Sequence, residues 1–87
     1  MVNYYTTHPT RSQAFLLERR LKMEGVKCEL SYLPREIMMD LCNMGVKFPE
    51  SEYHKAIEVI RRAALPGCKL YKEIVLPEGY KYIQVDL

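Results

Sequence analysis

Apolar and polar positions along this 87-residue chain switch between a period of two and a period near 3.6, and the switches mark its elements. The opening "VNYYTT", residues 2–7, is dense in β-formers and predicts a short strand. Pro9 suits a first helical turn and disfavours α geometry at His8, so a helix is expected just beyond it. Thr10 and Gln13 have the spacing of a capping box. Ala14, Leu17 and Leu21 share one face of that helix, with Arg11, Glu18, Arg19 and Lys22 largely on the other. Gly25 fits its end.

"VKCELSYL", residues 26–33, alternates: Val26, Cys28, Leu30 and Tyr32 one way, Lys27, Glu29 and Ser31 the other, as in a half-buried strand. "PREIMMDLCNMGVKF", Pro34 to Phe48, then predicts a helical turn over Glu36 to Leu41 and a short strand over "GVKF". Pro49-Glu50-Ser51 opens a second helix, with Tyr53, Ala56, Ile57, Ile60, Ala63 and Ala64 on one stripe, and Pro66-Gly67 ends it. "CKLYKEIV" reads as a fourth strand, "LPEG" as a turn and "YKYIQVDL" as a fifth strand.

Two β-α-β halves of this length predict an α+β, ferredoxin-like split βαββαβ sandwich. Two helices would cover one face of a mainly antiparallel sheet, with an extra C-terminal strand. The expected organisation is a single domain over 1–87, with 1–75 as core and 76–87 as a turn and strand extension. The second sheet face, carrying Lys27, Glu29 and Ser31, would meet solvent or another subunit.

Composition narrows the classes. An apolar fraction of 48% with 28% charged residues fits an ordinary globule. Lys+Arg of 13 against Asp+Glu of 11 leaves +2, too little to point to nucleic acid. No apolar run approaches the ~18 residues that span a bilayer, and "MVNYYTTHPTR" has no charged segment leading into an apolar one. The expectation is therefore a cytoplasmic protein without a membrane partner. Three scattered cysteines, Cys28, Cys42 and Cys68, make a poor disulfide framework and read as reduced thiols.

Cys42 is the candidate for chemistry. Cys28 alternates toward the core, and Cys68 opens a strand. Cys42 instead lies in a segment connecting two strands, where functional groups concentrate. Asn43 and Gly45 permit backbone geometries that turn N–H groups toward one point, a small anion nest, while Arg35 and Lys47 supply cations at either end. The competing reading makes Ile37, Met38, Leu41 and Met44 an amphipathic plug, with Cys42 one of its small apolar members.

Other chemistries find little support. His8 and His54 share no zinc-ligand spacing with the cysteines, so no metal is expected. There is no Gly-rich phosphate loop, no paired catalytic carboxylate signature and no recognisable triad, so no cofactor is expected either. The seven tyrosines lack the aromatic-glycine-aromatic pattern of RNA-binding sheets.

"LPREI", a cysteine, then "VKF" leading into "PESEYHKAIEVI", together with the preceding "TTHPTRSQAFLLERRLKMEGVKCEL", resembles a selenium/sulfur carrier-like family of small bacterial domains over residues 4 to 74. The resemblance implies that Cys42 is a carrier thiol, that Pro34, Arg35 and Gly45 shape its loop, and that His8 is the histidine opening the first helix. Small polar residues precede the family's cysteine and a glycine follows it, whereas here Met38 and Met39 precede and Asn43 follows. A carrier accepts sulfur or selenium as a persulfide or selenosulfide from a donor protein and hands it to an acceptor, so it is a shuttle more than a turnover enzyme. A reading of another class is a non-catalytic interaction or ligand-sensing module, a homodimer through the open sheet face and the tyrosine-rich C-terminal strand, with Cys42 structural.

Overall fold

A central first strand and two covering helices organise the chain in its computed structural model, which describes residues 1–38 and 42–87. Strand β1 is Val2–Thr7, helix α1 Arg11–Met23, β2 Glu29–Tyr32, β3 Met44–Pro49, α2 Tyr53–Ala63, β4 Lys69–Leu76 and β5 Gly79–Val85, with short 3-10 turns at Arg35–Ile37 and Glu50–Glu52. The five strands form one sheet in the order β2-β3-β1-β4-β5, every pairing antiparallel, so the architecture is α+β.

The start of α1 follows from Pro9-Thr10. Thr10 is the N-cap, and its Oγ1 accepts the Gln13 N–H at 3.2 Å. The reciprocal half of the expected capping box does not form, because the Gln13 side chain is committed elsewhere, to His8 and Pro66. At the other end Gly25 adopts φ 82°, Val26 N–H reaches Leu21 O at 2.9 Å and Gly25 N–H reaches Lys22 O at 3.1 Å. This pair of bonds is a Schellman motif, with Val26 packing into the same core as Leu21. The helix exit and the 2.7 Å bond from Lys27 N–H to the Glu52 carboxylate engage the backbone that was expected to begin a strand at Val26, so β2 begins only at Glu29.

Alternation along the strands sorts the two faces. Tyr4, Val46, Phe48 and Leu70 turn toward the helices and pack with Leu17 and Leu21 of α1 and Ala56, Ile57, Val59 and Ile60 of α2. Each large apolar side chain buried this way contributes roughly 1.5–3 kcal/mol. Tyr4 is sandwiched between Phe48, at 5.4 Å and 8° between ring planes, and Tyr53, at 4.7 Å. Val59 joins this core beyond the expected stripe, whereas Ala64 is exposed and ends α2 in a left-handed conformation at φ 48°.

The opposite face carries a smaller cluster of Tyr5, Leu33 and Ile37, flanked by Tyr71 and Tyr82. Tyr32, expected inward with Leu30, is 70% exposed: β2 is an edge strand, and Tyr32 lines a cleft on this second face. Pro77-Glu78 form the two-residue turn between β4 and β5, with Leu76 paired to Gly79.

Candidate functional site

β1 ends against β3 by a side-chain substitution in the ladder. Regular pairing runs from Asn3–Pro49 to Tyr5–Lys47. One residue further, Thr6 Oγ1 accepts the Val46 N–H at 3.0 Å. Gly45 is required beside it, since a Cβ there would run into the Thr6 carbonyl and come within 2.8 Å of Leu33 Cδ2. Gly45 therefore shapes this segment by permitting close backbone approach.

From Thr6 a hydrogen-bond chain, buried at its start, runs through His8 and Gln13 to Pro66. Thr6 Oγ1 lies 2.8 Å from His8 Nε2, His8 Nδ1 lies 2.7 Å from Gln13 Oε1, and Gln13 Nε2 donates to the Pro66 carbonyl at 2.9 Å. Because Gln13 Oε1 only accepts, Nδ1 carries the imidazole proton and Nε2 accepts from the Thr6 hydroxyl. His8 is fully buried, and that burial lowers its pKa, partly opposed by the Gln13 hydrogen bond. Its two ring nitrogens are both engaged in tying β1 to α1. The histidine expected to open the first helix is thus bonded to Thr6 and Gln13.

Cys42 lies in an isolated bridge just before β3, is 5% exposed, and donates its Sγ–H to the Met44 carbonyl at 3.3 Å. Asn43 beside it is exposed. Its carbonyl accepts the Leu33 N–H at 2.8 Å, and its Oδ1 accepts from Arg11 Nη2 at 3.3 Å. Arg11, the first residue of α1, is thus the cation shown to reach the residue after Cys42. Sequence reasoning placed it on a solvated helix face, and a contact across 32 residues between two exposed side chains leaves no pattern in the chain.

Pro34 caps the 3-10 turn Arg35–Ile37, and Arg35 is exposed on it. The helical turn expected over Glu36 to Leu41 is this 3-10 turn as far as it is described; residues 39–41, including the Leu41 of the expected plug, lie outside the described residues. Of the remaining plug positions Ile37 is buried, Met44 half-buried and Met38 45% exposed. Lys47, expected as a cation for the thiol, projects from the second face of the sheet: its Nζ stands 5.6 Å from the Tyr5 ring centroid, and Tyr5 and Glu29 are its register partners. Alternation along β3 puts Lys47 on the opposite side from Val46 and Phe48.

The other two thiols are packing groups. Burial pushes the Cys68 thiol up to about 11 and raises that of Cys28, which lies 3.9 Å from the Glu18 carbonyl. His54 is exposed on α2 with its ring edge against Tyr53. Among the described residues no three His, Cys, Asp or Glu side chains converge as metal ligands, and no helix is long and apolar enough to cross a membrane.

The chain matches no curated protein and no solved structure. A family model, described as "Putative Se/S carrier protein-like", matches residues 3–72. That span runs from β1 into β4 and includes Cys42, Asn43, Gly45 and the His8 chain, with the β5 hairpin strand beyond it. By this match the chain belongs to the Se/S carrier protein-like family.

Proposed function

We propose that the protein is a thiol-based carrier in which Cys42 holds sulfur or selenium between a donor and an acceptor protein in the cytoplasm. The Cys42 thiolate attacks the terminal sulfur of a donor persulfide; the Cys42 S–S bond forms, the donor S–S bond breaks, and the donor leaves as a thiolate. The proton lost by Cys42 is recovered by the donor thiolate through solvent, with no net oxidation. Delivery is the same exchange onto an acceptor.

The observation that carries this reading is the place of Cys42 within the matched residues, next to an Asn43 held by the Arg11 guanidinium. Arg11 offers a cation near a charged persulfide, and Pro34, Arg35 and Gly45 bound the loop. With Sγ hydrogen-bonded to Met44 and 5% exposed, loading and unloading accompany a local opening of the segment. A thiol sheltered this way keeps a labile persulfide from stray reductants between encounters. The fold in this reading is a ferredoxin-like split over β1 to β4, with β5 as an added edge strand.

Intact-mass measurement after incubation with a cysteine desulfurase and cysteine tests it. The expected result is a gain of about one sulfur on Cys42, absent in Cys42→Ser. No gain, or a gain confined to Cys28 or Cys68, overturns it. The burial of Cys42 favours a second reading, an interaction module with a structural cysteine, in which Cys42→Ser costs stability alone.

A further inference from the structure

The sheet face turned away from the helices is concave. Tyr5, Tyr32, Leu33, Lys47, Tyr80 and Tyr82 line a cleft of about 450 Å³. That volume falls among the ~300–1,000 Å³ of small-molecule sites, which are mostly apolar with a few convergent polar groups. It extends from Tyr32 at the end of β2 over β3, β1, β4 and β5, roughly 19 Å across at about 4.8 Å per strand spacing.

Its two charged side chains have different duties. Glu73 is 4% exposed; one carboxylate oxygen accepts the Tyr82 hydroxyl at 2.7 Å and the other the Asn3 amide at 3.2 Å. Burial and the Glu73 hydrogen bond both raise the Tyr82 pKa, so the hydroxyl remains a donor. The anchored Tyr82 ring stacks with Tyr80 at 6.5 Å and 18°. Glu73 is therefore spent on building an aromatic wall. Lys47 is the only Lys or Arg side chain in the lining, and among the described residues it forms no ion pair with Glu29 across the ladder or with Glu73. It presents donors alone, beside the Tyr5 ring.

We propose that this cleft binds a small organic carboxylate with a flat apolar body, the carboxylate on Lys47 and the body against the Tyr5, Tyr80 and Tyr82 rings. A single cationic side chain selects one anionic group; a phosphate chain or nucleic acid would need a row of them. A cationic ligand would meet the Lys47 ammonium where it already stands over Tyr5. Tyrosine rings supply large contact area at low entropic cost, which suits a planar body. The inference stands on the second sheet face and does not depend on Cys42.

The test is an NMR titration of the whole chain with 2-naphthoate, using 2-naphthamide and 2-naphthylmethylammonium as neutral and cationic counterparts. Saturable shifts are expected at Asn3, Tyr5, Lys47, Tyr80 and Tyr82, with the amide binding about tenfold more weakly or worse, the worth of a charge-assisted hydrogen bond. Lys47→Met should weaken 2-naphthoate by a similar factor and Lys47→Arg should retain binding. Tyr80→Ala, at a residue 62% exposed, should weaken it without unfolding the chain, and Cys42→Ser should leave it unchanged. Absence of saturation, equal affinity of the amide or of Lys47→Met, or tighter binding of the ammonium overturns the proposal. So do concentration-dependent shifts at these residues without ligand, which would mean that a second copy covers the face.

Discussion

Thr6 Oγ1 stands 2.8 Å from His8 Nε2 while accepting the Val46 N–H at 3.0 Å, so one hydroxyl joins the β1–β3 ladder to a buried imidazole. Replacing it with an isosteric apolar group leaves a buried N–H and a buried ring nitrogen without partners. Thr6→Val is expected to cost about 2–4 kcal/mol, one to two unsatisfied groups. Urea unfolding measures it; a loss below about 0.5 kcal/mol would show that the pair relaxes onto other partners.

The same pair makes stability depend on pH. The unfolded chain protonates His8 near its ordinary value of 6.5, whereas burial holds the folded value lower. Between the two the unfolded state binds more protons, so the contribution of neutral His8 is complete above pH 6.5 and is lost as pH falls toward the folded value. Unfolding midpoints at pH 5.5 should lie below those at pH 7.5, and His8→Gln should flatten that part of the profile. An equal slope in the variant would assign the dependence to other groups.

Gly45→Ala places a methyl against the Thr6 carbonyl and Leu33. Backbone cannot give way as a flexible side chain can, and a loss of about 1–3 kcal/mol or more is expected. Thermal unfolding reads this directly, and the damage should extend to Thr6–Val46 as seen by amide exchange at Val46.

Arg11 braces the residue after Cys42 through an exposed hydrogen bond. Arg11→Ala should raise the alkylation rate of Cys42 in native protein about two- to fivefold, the worth of one modest hydrogen bond in a local opening equilibrium. Alkylation at Cys68 supplies the internal control. An unchanged ratio would mean that opening of the Cys42 segment does not involve the Arg11–Asn43 contact.

The element order was legible because each element carries its own period. Ala14, Leu17 and Leu21 recur as a helix requires, and Val26, Cys28 and Leu30 alternate as a strand requires. Boundaries were less legible where two local motifs compete for the same backbone, as at Val26, which the Schellman motif of α1 claims before β2 can. At the candidate site, Gly45 was picked out for backbone freedom, and the structure gives the reason as approach to Thr6. The bonds of His8 to Thr6 and Gln13 were not legible, because its burial depends on β1 lying at the sheet centre. Lys47 carried the needed signal: it alternates with Val46 and Phe48, and that parity already turned it away from the helix face. Arg11–Asn43 carried none.

The centrality of β1 also bears on how the chain is made. Synthesis delivers Val2–Thr7 before either of its two neighbours, Met44–Pro49 and Lys69–Leu76, the latter paired from Val2–Ile74 to Thr7–Lys69. The strand that anchors both faces therefore keeps two unpaired edges until both later segments have followed it from the ribosome. Such distant pairing slows folding and leaves "VNYYTT" exposed to wrong partners in the interval.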